Sequence, residues 1–408
     1  TIAWVRDGPD PAVDITYQSS STTYHGNWSA ATNIPSGTSY YSCALGLIKG
    51  TTKGHDWATF SATTTYVCFT NLSLEHNHDY YLTVKVVSNS EKEGQESSNG
   101  VIVDITSPVG NPTTPMPVSN YSNTNEISFS WGKGDAADPQ SGIAGYFFEV
   151  GTSSEPFVAD FYADNVGDNL SATLSGAEDG KTYFARVKAV NGAGLHSSPS
   201  GISKGITVDT TAPAVPTIRI SISGDVVTVT GKAEAGSSLT AVTIIDQNDK
   251  EVDIGLLDNF SIDSAGNFTG TFKISDILDE YPLITRFRAS VIVSDPAGNR
   301  SQAGLSEPVA TPVSENKLTC YNNLLTAGRR TAFVKYDVVE AGHITIRIYN
   351  IAGEFIKKLL DSEVPADSSG TVEWDGKNYA DKDVASGTYF VHIHTPKWQD
   401  TKKIIVVR

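Results

Sequence analysis

Side chains able to do chemistry are sparse in this chain, and their spacing suits turns better than catalysis. His392 and His394 stand two apart in a strand-like run, and His76 and His78 stand two apart in a turn. That spacing puts two imidazoles on one side, where they can chelate, but neither pair has a third ligand at a metal-binding interval. Oxygen ligands in loops or at joints suit calcium better than zinc. The carboxylates so placed are Asp135 and Asp138 in "GKGDAADPQSG", Asp246 and Asp249 in "DQNDKEVD", and Asp104 and Asp209 at the ends of apolar runs. None sits in a D-x-D-x-D-G loop, and Asp also closes turns by bonding its own backbone. The expectation is therefore no metal and no other cofactor, with calcium at Asp135, Asp138, Asp246 and Asp249 as the one candidate.

Catalytic arrangements are not legible. The chain has no G-x-S-x-G elbow, no H-E-x-x-H, no G-x-x-x-x-G-K-[ST] and no Cys/His pairing with an orienting partner. A paired acid and base need a cleft that raises one pKa, and nothing in the strand-like runs indicates such a cleft. The chain reads as a non-enzyme. Cys43, Cys68 and Cys320 are too few for a disulfide framework. Cys43 and Cys68 fall on strands of different facing, which favours inert thiols over a bridge. Crosslinks between Lys and Asn need a buried acidic neighbour that a sequence does not display.

The elements that hold these residues follow from composition and repetition. In 408 residues there is one Met, 19% of residues are charged, and the formal net charge is −16. Strands are favoured over helices, and the length suits three or four domains. Nucleic-acid phosphates would be repelled by this charge. No run reaches the ~18 apolar residues of a membrane span. The opening "TIAWVRDG" reads like the inside of a longer or processed polypeptide.

"VDITSP" at Val103 to Pro108 returns as "VDTTAP" at Val208 to Pro213, about 105 residues later. With it return "SGTSYYSCALG" as "SGIAGYFFEVG", "DYYLTVKVVS" as "TYFARVKAVN", and Trp28 as Trp131. A period of that size is a whole domain. Ile127, Phe129 and Trp131 alternate with Ser128 and Ser130, as one buried strand face requires, and turn-rich breaks separate such runs at short intervals. A proline after each "VD-x-T" stops the strand from running on and leaves a semi-stiff joint.

A core Trp on an early strand, Tyr41 and Tyr146, and a late "Y-x-x-x-V-x-A-x-N" strand resemble the fibronectin type III fold, over residues 1–107 and again over 108–212. The resemblance implies that Tyr80 and Tyr183 hydrogen-bond upstream backbone at a corner, and that Trp28 and Trp131 anchor cores. A sugar-stacking role for either Trp is the sharper alternative. Residues 213–315, closing on "VIVSDPAGNRS", resemble bacterial Ig-like repeats. Residues 316–408, with "AGHITIRIYNIAGEFIKKLL", "TVEWDGKNYADKDVASGTYFVHIHT" and "KKIIVVR", resemble the C-terminal Ig-like domain of flagellar hook-capping proteins and type IX secretion sorting domains. "CYNNLLTAG" stands where that family usually opens on a "YPNPF"-like segment, and both prolines are missing.

The expected fold is all-β: four tandem immunoglobulin-like and fibronectin type III-like β-sandwiches in an elongated array. The expected function is a non-catalytic structural or adhesive stalk, extracellular or at a bacterial cell surface. Its C-terminal domain would serve secretion or anchoring. Its partner would be a protein or glycan at a cell surface, or further copies of itself in a fibre joined through exposed strand edges. Two other readings are accessory modules of a larger secreted hydrolase and a carbohydrate-binding set using Trp57 or Trp398 as an aromatic platform.

Overall fold

The computed structural model describes residues 1–252 and 255–408. The fold is all-β, built from immunoglobulin-like and fibronectin type III-like sandwiches. The chain divides into two compact units, Thr1–Thr210 and Thr211–Arg408. Among the described residues, each unit contains two hydrophobic clusters. No helix among the described residues is long and apolar enough to cross a membrane.

In the first unit the first sandwich sets a sheet of Val5–Asp7, Tyr24–Trp28 and Tyr66–Phe69 against one of Tyr17–Gln18, Val101–Val103, Asp79–Ser88, Thr38–Gly46 and His55–Ser61, with Glu93–Ser97 added on Asp79–Ser88. The second repeats the plan. Met116–Pro117, Glu126–Ser130 and Ser171–Ser175 face Tyr121–Ser122, Ile206–Val208, Thr182–Asn191, Ile143–Gly151 and Tyr162–Asn165. The alternation read in the sequence is the alternation of burial: Ile127 and Phe129 are fully buried between partly or fully exposed neighbours. Trp131 stacks on Phe148 at 4.8 Å, and Trp28 leans on Tyr41 at 5.6 Å. Each Trp buries a large apolar surface. Each also leaves its indole N–H without a partner, a cost that burial must outweigh.

The two corner tyrosines occupy equivalent positions. The Tyr80 hydroxyl accepts the Glu75 N–H at 2.9 Å, and the Tyr183 hydroxyl accepts the Glu178 N–H at 2.8 Å. In each case the donor lies five residues upstream. Both hydroxyls thus satisfy a loop amide that no ladder reaches.

The last stretch of the second sandwich pairs in a way the alternation did not reveal. Ser197, Ser200 and Ser203 donate their N–H groups to the carbonyls of Ala189, Val187 and Ala185 at 2.8 to 2.9 Å. The same residues' N–H groups return to the three serine hydroxyls at 2.9, 3.1 and 2.8 Å. A serine every third position therefore supplies donor and acceptor to a strand whose period is two. Ser98 does this for Leu82, and Ser301 and Ser306 do it for Val293 and Ala289.

In the second unit Thr217–Ser223, Val226–Lys232, Asn267–Lys273 and Phe260–Ile262 oppose Glu251–Val252, Ser238–Asp246, Arg286–Ser294 and Gly304–Leu305. Between two of these strands lies a helix that strand alternation did not anticipate, Ile274–Glu280, which buries Ile274 and Ile277. Its N-terminus is held from a distant turn: Asp225 accepts the Ser275 N–H at 2.9 Å and its hydroxyl at 2.8 Å. The last sandwich sets Lys317–Tyr321, Ala332–Val338 and Ser368–Trp374 against Leu324–Leu325, Gln399–Val406, Gly387–His394, Gly342–Asn350 and Phe355–Val364. Trp374 and Ile346, Ile348, Val391 and Ile393 fill that core.

Candidate functional site at the joint after the first sandwich

The strand Val101–Val103 ends at Asp104, whose carboxylate has no solvent exposure. One oxygen turns back on the chain, accepting the Thr106 N–H at 3.0 Å and the Thr106 hydroxyl at 2.8 Å. This closure explains the D-x-T of the repeated motif, because it turns the chain between the strand end and Pro108, with Thr106 two residues before the proline. The other oxygen reaches the second sandwich, where it accepts the Ser141 hydroxyl at 2.6 Å and Asn191 Nδ2 at 3.1 Å.

Asn191 is the hub. Its Nδ2 also lies 3.0 Å from Asp138 Oδ2 and 2.9 Å from the Thr106 carbonyl. Its Oδ1 accepts the Ala193 and Leu195 N–H groups at 3.1 and 2.8 Å, which fixes the amide's orientation. Three oxygens thus converge on a nitrogen with two protons. Asp138 Oδ1 accepts the N–H groups of Gln140 and Ser141 at 3.0 and 2.9 Å, so "DPQSG" is a closed turn presenting Ser141 to Asp104. Burial alone would raise the Asp104 pKa. The hydrogen bonds from Ser141 and Thr106, and the His76 imidazole 3.7 Å away, outweigh that burial and hold the carboxyl below its ordinary value.

A second set of contacts braces the linker. Val109 and Ala137 exchange backbone hydrogen bonds at 2.9 Å, and Asp135 Oδ1 accepts the Asn111 N–H at 2.8 Å. Gly110 is required here: its φ is +69°, and a Cβ would meet the Asp135 carbonyl oxygen at 2.4 Å. The joint is a set of acids, amides and hydroxyls hydrogen-bonded to one another across two sandwiches. Its geometry suits holding two sandwiches in register.

Of the four calcium candidates, Asp138 and Asp135 serve this joint through backbone amides and Asn191. Asp246 Oδ1 accepts the N–H groups of Asn248 and Lys250 at 2.8 and 2.9 Å, and Asp249 Oδ1 lies 2.5 Å from the Arg288 guanidinium. Among the described residues no three His, Cys, Asp or Glu side chains are grouped to hold a metal ion. His392 and His394 stack at 6.5 Å, with His392 bonded to Thr401. His76 turns to Asp104 while His78 meets Glu75. Cys43 faces the core, where burial pushes its thiol up to about 12, while Cys68 is exposed, and all three cysteines are free. Trp57 lies under the Lys85 ammonium at 4.3 Å, and Trp398 packs against the last core.

Asn191, Ser141 and Thr106 carry the joint and were not singled out as site residues. The visible signal was the Asn closing the "Y-x-x-x-V-x-A-x-N" strand and the Thr in each "VD-x-T".

No protein-family model matches the chain, and no curated protein sequence matches it. Among solved structures, the FN1–FN3 domains of chicken CNTN1 align at 14% identity over 76% of this chain and 96% of that one, with a TM-score of 0.27. A 1.5-MDa bacterial ice-binding adhesin aligns at 16% identity over 74% of this chain and 97% of that one, with a TM-score of 0.28.

Proposed function

We propose that this chain is a non-catalytic, force-carrying array of a bacterial surface or secreted protein, whose sandwiches space or present an adhesive partner outside the cell. The last sandwich, by its resemblance to secretion and hook-capping domains, serves export or anchoring. One observation carries the reading. In three sandwiches a short strand near the beginning lies parallel to the strand at the end: Tyr17–Gln18 beside Val101–Val103, Tyr121–Ser122 beside Ile206–Val208, and Leu324–Leu325 beside the end of Gln399–Val406.

Tension on the two ends of such a sandwich pulls these parallel strands in opposite directions. Their bonds are then sheared together instead of opening one by one. The bonds at the ends of each pair run from the N–H groups of Ile102 to Thr16 and Asp104 to Gln18, of Thr207 to Asn120 and Asp209 to Ser122, and of Ile405 to Asn323 and Val407 to Leu325, all at 2.7 to 2.9 Å. Asp104 ends one such clamp with its backbone and enters the next joint with its side chain.

Single-molecule stretching of the whole chain tests this. Each sandwich should release roughly 300 Å or more of chain in a separate, force-resistant step, since ~100 residues extend by up to ~3.5 Å each. Ile102→Pro, which removes one clamp donor, should selectively weaken one step. Extension without discrete steps, or an Ile102→Pro trace identical to the native one, would falsify the proposal.

A further inference from the structure

In the second unit a cleft of about 480 Å³ lies between the third and fourth sandwiches. Its volume falls within the range of small-molecule sites, ~300–1,000 Å³. One wall is Tyr321 beside Phe333, direct register partners on the outward face of the last sandwich's smaller sheet. The facing wall comes from Tyr281 and Leu283, just after the helix Ile274–Glu280. Around the rim stand Asn248, Lys250, Glu280 and Asn322.

The walls are pinned from both sides. Gln247 donates to the Leu283 carbonyl and accepts the Thr285 N–H, each at 3.2 Å. From the other sandwich Lys335, 8% exposed, donates its ammonium to the carbonyls of Pro282 and Ile284 at 3.0 and 3.5 Å. Burial pulls that lysine's pKa below its ordinary value. Asp246 fixes the turn from which Asn248 and Lys250 project. A cleft whose walls are already held loses little entropy on binding.

The rim chemistry selects among ligand classes. Asp246 and Glu280 balance Lys250 and the Lys335 ammonium behind the wall, so on a chain of net charge −16 the site offers no excess positive charge to phosphates or acidic ligands. A purely apolar ligand would strip water from the Asn248 and Asn322 carboxamides, the Glu280 carboxylate and the Lys250 ammonium, whose side chains line the cleft at its rim. A neutral pyranose fits both features, because its C–H face can lie on an aromatic ring while its hydroxyls pair with carboxamides and a carboxylate. We infer that the cleft bounded by Tyr321, Phe333, Asn248 and Asn322 binds a neutral saccharide of one or two residues. The inference is independent of the force-carrying role, since no clamp or joint residue lines the cleft.

The test uses the whole chain with a panel of neutral gluco-, manno-, galacto-, xylo- and N-acetylglucosamine oligosaccharides, each to about 10 mM, a range in which weak sites saturate. Calorimetry gives affinity, and amide NMR shifts give location. At least one sugar should move the amides of Asn248, Asn322 and Phe333. Phe333→Ala and Asn322→Gly should each weaken it by ~10-fold, a loss of about 1.4 kcal/mol. Asn322→Gly keeps the fold, because φ at this position is +52° and glycine accepts it freely. Silence across the panel, shifts mapping elsewhere, binding indifferent to both variants, or peptides occupying the cleft in place of sugars would each overturn the inference.

Discussion

Asp7 offers a perturbation whose size and sign can both be worked out. It sits at the end of Val5–Asp7 with no solvent exposure. Its carboxyl accepts the Tyr24 hydroxyl and, at 3.1 Å, the Gly100 N–H, while Asp14 stands close enough to accept the Asp7 N–H at 2.9 Å. Burial is the largest influence and raises the pKa from 3.8 to about 6, against the lowering effect of the bonds from Tyr24 and Ser98. Below pH 3.8 the group is protonated in folded and unfolded chains alike, and its charge costs nothing. Between 3.8 and about 6 the unfolded chain ionises while the fold keeps its proton, so stability falls as pH rises. Above about 6 the full cost applies, about 3 kcal/mol at ~1.36 kcal/mol per pH unit.

Asp7→Asn removes the titration and keeps the shape, with a carbonyl for Gly100 and an amide for the Tyr24 oxygen. Hydrogen exchange across Asp79–Ser88, corrected for intrinsic rates, reads the stability of this sandwich in the whole chain. The variant should gain on the native protein from pH 4 to about pH 6 and level off by pH 7, at about two decades of extra protection. A pH-independent difference, or a variant less protected at pH 7, would refute the reasoning.

Tyr183→Phe should cost ~1–3 kcal/mol by leaving the Glu178 N–H unpaired, seen as a lower melting temperature of the second sandwich. Ser200→Ala removes the acceptor of the buried Val187 N–H, and faster exchange at that amide by ~10-fold or more is the readout. Asn191→Asp places a third carboxylate against Asp104 and Asp138. The amides of Thr106 and Ser141 should lose protection in chelator and regain it in millimolar calcium, whereas the native joint should respond to neither.

The repeat of "VD-x-T-x-P", the alternation around Phe129, and the Trp and Tyr positions were enough to specify sandwiches, because burial on one strand face imposes a period of two that survives in one dimension. Tyr80 and Tyr183 bond the backbone five residues upstream, as the resemblance to the fibronectin type III fold implies. The serine spine left a period of three that strand alternation does not look for.

Asp104, Asp138 and Asn191 are a different case. Each is an ordinary turn or strand-end residue locally, and they meet across 53 and 87 residues of sequence. The amino-acid sequence alone determined the fold class and the strand endings, because these depend on local pattern and proline. Only the tertiary structure decided which acids share an amide, which strands lie parallel at the ends, and where Tyr321 and Leu283 face each other across a cleft, because convergence in space depends on how separate strands pack.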